Sequence, residues 1–471
     1  MDRVLNTSTP VRKLVPPDTG KFVPAKAQRY SVPVQPARAP NPAFSTIPQA
    51  SSSAQRIGLF CLCGYLCAGY ANDLSIRLFG GKAYLSWLFG IGLAVAVLGS
   101  GSAFRALQTN IGKCWAGVTV LLLFSGAFSL SRGESIGVLT AYIPKNLFVF
   151  FYCCTLSLTL RNCRTLMTGN IVCATAILLN AALFGATGED GGRFSIPNSL
   201  FLGNSNDLAL VLVCNLGFSL YLIWQKSTSA IILGSLEFLV SVYFLLKTAS
   251  RGGFLAFAAC MIVWLIFATR RGRLAALAVP AVCIAMLLPG SILSRLIEIA
   301  APGALSADSA MDGNQMSQYE RTQLLETSIR IAVTHPLFGT GPGTFMDALW
   351  NDDVSHGTHT AALGTHNTYT QLASECGFPV LILYLGALFG SIRANYRMMK
   401  RTRGAPRAEG VFTVSICLFG SLIAFAVGSA FDHVAYGWTL PILSGITVAL
   451  YLASHGGDPQ WIEAEVAAGN A

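Results

Sequence analysis

The feature that most constrains this chain is the recurrence of long apolar runs, each separated from the next by a polar stretch. A helical crossing of a bilayer takes about 20 mostly apolar residues. Runs of that kind fall at 57–71, 83–104, 114–131, 137–159, 166–186, 206–224, 229–248, 253–269, 274–293, 377–392, 411–428 and 434–454. Hydrophobic residues fill 53% of the 471 positions and charged residues 11%, well below the roughly 25% charged share of ordinary soluble domains. Lipid is therefore the solvent, and the expected fold is an all-α polytopic membrane protein of about twelve transmembrane helices. Pro144, Lys145 and Asn146 interrupt the fourth run.

Cytoplasmic loops retain Lys and Arg during insertion. With the N-terminus inside, 22 of the 32 basic residues fall on the cytoplasmic side, nine on the opposite side, and Lys145 within a span. The net charge of +10 is thus a topology signal. It calls for no nucleic-acid partner, although a basic inner face favours anionic lipid. An even number of helices returns the C-terminus to the cytoplasm. Most of the thirteen cysteines lie inside apolar runs, where a thiol packs as a small hydrophobe.

Three regions follow. Residues 1–56 carry nine of the twenty prolines, a composition that buries too little apolar surface to fold, and read as a disordered cytoplasmic tail. Residues 57–454 form the membrane domain, and 455–471 a cytoplasmic C-terminal tail. Within the membrane domain, the stretch 294–376 between the ninth and tenth spans is 83 residues long, far more than a connector needs. A helix is expected there over 318–334, stopped by Pro336. The glycine-rich run from Gly339 to Gly343 follows it. That run lacks the Lys-Ser/Thr of a phosphate loop and reads as a turn returning the loop to the membrane.

Ionisable groups gather on the non-cytoplasmic side. Arg132, Arg193, Arg251 and Arg321 lie at helix ends or in loops there. Guanidinium matches phosphate oxygens in charge and fork geometry, so several arginines converging from different loops would suit a diphosphate. Four of the six histidines, His335, His356, His359 and His366, fall in the long loop. His356 and His359 with Asp352 and Asp353 have a weak zinc-like spacing, and no metal is assigned. His366, where the loop re-enters the membrane surface, is placed to accept a proton near neutral pH. Asp432-His433 forms a further acid–base pair or a local cap. Lys145 and Glu237 are the few deep charges; such groups mark transport pathways, which keeps a solute transporter as one reading, with inorganic carbon as the solute implied only by the family resemblance below.

Several segments together resemble the O-antigen ligase and O-antigen polymerase superfamily of bacterial polysaccharide membrane enzymes. These are an arginine-bearing helix at Arg321, then Thr334-His335-Pro336-Leu337-Phe338-Gly339-Thr340-Gly341-Pro342-Gly343, His366-Asn367-Thr368-Tyr369, and Glu375-Cys376-Gly377-Phe378-Pro379 leading into a span. Upstream, Arg193, the Gly203-Asn204-Ser205-Asn206 segment and Ser250-Arg251-Gly252 are similar to further motifs of that family, with Ser205 where proline is usual. The resemblance implies a partly helical periplasmic loop and a multi-pass protein of the bacterial inner membrane. It also implies transfer of a glycan from an undecaprenyl-diphosphate carrier to an acceptor hydroxyl on a glycan, lipid or protein, without cofactor or metal. On that expectation Arg193, Arg251 and Arg321 hold the diphosphate, His366 is the general base of an inverting displacement, and Asn367 or Glu375 orients the imidazole. A polymerase extending lipid-linked repeats would share the site.

Overall fold

The structure, a computed structural model, describes residues 53–70, 76, 85–100, 104–188, 193–197, 199, 202–269, 311–356, 364–405 and 408–455, except the side chains of Lys145, 311–320 and His455. The tail 1–52, the run 274–293, the start of the long loop, His359 and residues 456–471 lie outside them.

The described residues are almost entirely helical. In chain order the helices are α1 (Ser53–Tyr70), α2 (Leu85–Gly99), α3 (Asn110–Ala127), α4 (Arg132–Tyr142), α5 (Phe148–Leu156), α6 (Leu160–Phe184), α7 (Ser205–Ile223), α8 (Thr228–Thr248), α9 (Arg251–Phe267), α10 (Met311–Thr334), α11 (Phe345–His356), α12 (Thr368–Cys376), α13 (Phe378–Thr402), α14 (Glu409–Gly428) and α15 (Thr439–His455). The two short strands β1 (Ala186–Thr187) and β2 (Phe194–Ser195) pair antiparallel between α6 and α7. Six helices, α3, α6, α7, α8, α13 and α14, are long and apolar enough to cross a membrane, and α2, α9 and α15 are shorter apolar helices.

Helix starts follow the sequence. Thr109, Thr159, Asn204, Ser250 and Asn367 each offer a side-chain oxygen to a backbone N–H of the first turn, satisfying donors that have no partner within the helix. The interruption at Pro144 is a π-helical turn, Ile143–Leu147, between α4 and α5. Proline lacks the N–H that regular helical bonding needs, and the wider turn absorbs the loss.

Helix α7 is the central element, buried along nearly all its length and packed by α6, α8, α9 and α14. Helix α13 packs on α3, α14, α15 and α12. Polar contacts join neighbours where lipid offers no competing water: Asn395 Nδ2 donates to Thr447 Oγ1 at 2.7 Å, and Ser421 Oγ to Cys214 O at 2.7 Å. Ile232, Leu236, Ile262 and Leu183 remain exposed, as expected of side chains that face lipid. All described cysteines are free thiols, and Cys153, Cys154, Cys173, Cys214, Cys260 and Cys417 are buried.

Two expectations are corrected. The loop helix begins at Met311 rather than 318 and ends at Thr334 as expected, because its polar first turns carry no apolar periodicity to reveal them. The polar, glycine-bearing segment Asn351–Gly364 reads in the sequence as flexible loop, yet α11 continues to His356. Phe345, Ala348 and Leu349 on one face of α11 pack against Leu324 and Ile331 of α10, and burial of that face stabilises the helix.

Candidate active site

The site is assembled at the ends of α7, α9 and α12 together with α10 and the loop between α14 and α15. Its scaffold is the glycine turn after α10. Gly339, Gly341 and Gly343 have φ of +65°, +114° and +80°, a region that side chains adopt at a cost. A Cβ on Gly339 would lie 2.2 Å from the carbonyl carbon of Glu375, so the turn also depends on glycine for close approach. Thr340 N donates to Ser374 O at 2.9 Å, Gly341 N to Glu375 O at 2.8 Å, and Leu130 N to Thr340 O at 2.8 Å. The turn is thereby fastened to the C-terminal end of α12 and to the connection between α3 and α4, consistent with a loop returned to the membrane domain.

Helix α12 is clamped from the other side by the loop after α14. Thr368 Oγ1 donates to Asp432 O at 2.7 Å, Thr368 N to Ser429 O at 2.9 Å, and Tyr369 Oη to Ala426 O at 2.7 Å. The π-helical turn contributes as well, with Asn146 Nδ2 donating to Tyr436 O at 2.7 Å.

His366 precedes α12 with φ of +48°, an unusual conformation for a residue with a Cβ and one that concentrates at functional sites. Its ring meets His433 edge-on, with centroids 5.3 Å apart. Its Nδ1 is buried with no hydrogen-bond partner. Burial first, then His433, Arg321 and Arg193, hold the imidazole down at about 4. At neutral pH it is therefore uncharged and able to accept a proton.

Arg193 and Arg321, far apart in sequence, both act on it, and Arg251 acts on Arg321. Arg193 Nη2 donates to Asn206 Oδ1 at 2.6 Å, and Ser250 Oγ to the same oxygen at 2.8 Å. Asn206 thus ties the hairpin arginine to the cap of α9, whose first residue is Arg251. Burial, then the Arg251 cation, push the Arg321 guanidinium below its ordinary value, and Asp432 opposes this. Guanidinium groups gathered in this way suit an anion.

Asn367 and Glu375 have other partners than the imidazole. Asn367 Oδ1 caps α12, accepting from Tyr369 N at 2.9 Å and Thr370 N at 3.2 Å. Glu375 Oε2 accepts from Gly343 N at 2.9 Å and Tyr436 Oη at 2.5 Å. Burial pushes its carboxyl up to about 7, against the hydrogen bonds from Tyr436, Gly343, Phe345 and Gln371. Arg132 opens α4 and is exposed. His356 is exposed at the end of α11, 3.6 Å from Asp352, which also pairs with Arg330. Among the described residues no group of three or more His, Cys, Asp or Glu side chains is arranged to hold a metal ion. Of the deep charges, Glu237 is buried against Ser219 of α7, and Lys145 falls in the π-helical turn.

Sequence reasoning gave no role to Asn206, Asp207 or Tyr436. Asn206 closes the Gly203-Asn204-Ser205-Asn206 segment and Asp207 follows it, but nothing in the chain signals that Asn206 would meet Ser250, 44 residues away.

The fold and site define a multi-pass helical membrane protein with an arginine and histidine centre at one end of its helices. Residues 236–385 match the O-antigen ligase family. The matched stretch contains Arg251, Arg321, His366 and Glu375, while Arg193 and Asn206 lie upstream of it. Among curated proteins, no relative matches.

Proposed function

We propose that this protein transfers a glycan from an undecaprenyl-diphosphate carrier to an acceptor hydroxyl at the outer face of the bacterial inner membrane. In this reading about twelve spans place both termini in the cytoplasm, and the loop 294–376 is periplasmic. The observation that carries it is the action of Arg193 and Arg321 on His366, with Arg251 acting on Arg321, in a chain whose residues 236–385 match the O-antigen ligase family.

The chemistry follows from the charges. The bond that breaks joins the anomeric carbon to a phosphate oxygen, and its electron pair leaves with the lipid diphosphate. Fixed guanidinium groups lower the barrier by stabilising that growing charge. The acceptor oxygen attacks from the opposite face, which inverts the anomeric centre, and its proton passes to neutral His366. Diphosphate bound to the arginines also cancels part of the field that depresses the imidazole, so His366 becomes more basic when the donor is in place. Asn367 and Glu375 act in support, holding α12 and the strained His366 backbone in position.

The test compares surface polysaccharide and lipid-linked glycan in cells with and without the gene. Loss of the finished glycoconjugate with accumulation of lipid-linked polymer is expected. Accumulation of single lipid-linked repeats would make the protein a polymerase using the same site, and an unchanged glycan profile would overturn the reading.

A further inference from the structure

Helix α13 changes character along one face. Ile382 and Phe389 are exposed apolar side chains, and Arg393, Arg397 and Lys400 continue the same line at intervals of four, four and three residues, a spacing that keeps side chains on one side of a helix. The opposite side is fastened to α15. Ser391 Oγ donates to Ser444 Oγ at 3.2 Å, Asn395 Nδ2 to Thr447 Oγ1 at 2.7 Å, and Met398 and Met399 are buried. The charged face therefore stays outward. Tyr396, 39% exposed, stands where the apolar part gives way to the cationic one, its ring 6.0 Å from that of Phe267 in α9 and 5.9 Å from that of Phe419 in α14. Part-exposed tyrosines gather at the level where hydrocarbon meets headgroups. Directly beyond it, Arg397, Lys400 and Arg401 line a cavity of about 500 Å³. No Asp or Glu occurs from 376 to 408.

We propose that this cavity binds the headgroup of an anionic membrane phospholipid whose acyl chains lie along Phe389 and Ile382. Two guanidinium forks and an ammonium match phosphate oxygens in charge and hydrogen-bond geometry. Two simpler accounts cover less. Cations in a last turn complement the helix dipole, and cations beside a span guide insertion, but neither effect asks the charges to share a cavity at the foot of an apolar stripe. The site is separate from the arginine and histidine centre: α13 starts at Phe378, directly after α12, and at the rise of a helix the cavity lies about 30 Å along it. The proposal rests on the membrane assignment and not on the glycan-transfer reading. In the orientation proposed above, the lipid belongs to the cytoplasmic leaflet.

The test is native mass spectrometry of the purified full-length protein in neutral detergent with equal amounts of phosphatidylglycerol and phosphatidylcholine. The wild type is expected to retain phosphatidylglycerol about tenfold over phosphatidylcholine, on the scale of cations held near anionic lipid. Arg397→Gln, Lys400→Gln and Arg401→Gln combined should bring the two lipids to near parity. Lys113→Gln, Arg161→Gln and Lys226→Gln combined remove as much charge from loops assigned to the same side and should leave the preference intact. Equal loss in both triple variants would mean diffuse attraction by the whole basic face and would overturn the site, as would a wild type without preference. Inorganic phosphate that displaces the lipid beyond chloride at matched ionic strength would make the cavity a site for soluble anions and overturn the lipid assignment. A reporter fused after Arg403 checks that the first triple variant keeps its orientation in the membrane. Where it does not, Arg397→Lys with Arg401→Lys decides, because it keeps every charge and loses only the guanidinium forks. Its preference should be about threefold lower than that of the wild type, and an unchanged preference would overturn the site.

Discussion

Tyr436 Oη and Gly343 N both donate to Glu375 Oε2, at 2.5 Å and 2.9 Å, so one buried carboxylate fastens the glycine turn, α12 and the loop before α15 to each other. His366 lies between the second and third of these segments, directly before α12 and edge-on to His433.

Glu375→Ala leaves two buried donors without an acceptor and is expected to destabilise the protein by about 2–3 kcal/mol, measured as a lowered thermal midpoint in detergent. The wild type should also show a pH signature. Because burial raises this carboxyl from 4.5 to about 7, the folded state holds the proton more tightly than the unfolded chain. The resulting stabilisation is fully present below pH about 4.5 and is lost as pH rises through about 7. Glu375→Gln removes that slope; a slope unchanged in the glutamine variant would assign it to other groups.

Much of this architecture is legible in the sequence. Apolar length locates the helices because lipid requires it, so the runs near 166–186, 206–224, 229–248 and 411–428 coincide with α6, α7, α8 and α14. The arginines and His366 stand out as ionisable groups in the stretches between apolar runs. The partners of Glu375 and Asn206 are not legible, since Tyr436 and Arg193 lie 61 and 13 residues from them and meet them only through packing. Helix α11 was hidden for a related reason: its apolar face is three residues wide and acquires meaning only against α10.

Asn206 is the joint between Arg193 and Ser250. Asn206→Ala is expected to raise the KM for the lipid-linked donor about tenfold, which corresponds to about 1.4 kcal/mol, with a smaller change in kcat. A change confined to kcat would instead place Arg193 in the chemical step alone.

The basicity of His366 is set by its cationic surroundings. With the imidazole held at about 4, kcat/KM of the wild type should stay flat from neutral pH down to about pH 4 before falling as the free enzyme protonates. Arg321→Gln removes one of the cations that oppose protonation, so the acid limb moves to higher pH. Movement in the other direction, or none, would contradict the electrostatic origin assigned here.

Topology is checked separately. A reporter fused after Gly343 should read on the periplasmic side and one fused after Arg403 on the cytoplasmic side. Reversal of either places the site on the wrong face of the membrane for a donor presented outside.

The most direct test of the central claim is transfer of glycan in proteoliposomes from an undecaprenyl-diphosphate donor to an added acceptor, measured for wild type and His366→Ala matched for insertion and thermal midpoint. The wild type should transfer, and His366→Ala should fall by about two orders of magnitude or more, the scale of a lost general base. Transfer by His366→Ala at the wild-type rate would contradict the mechanism.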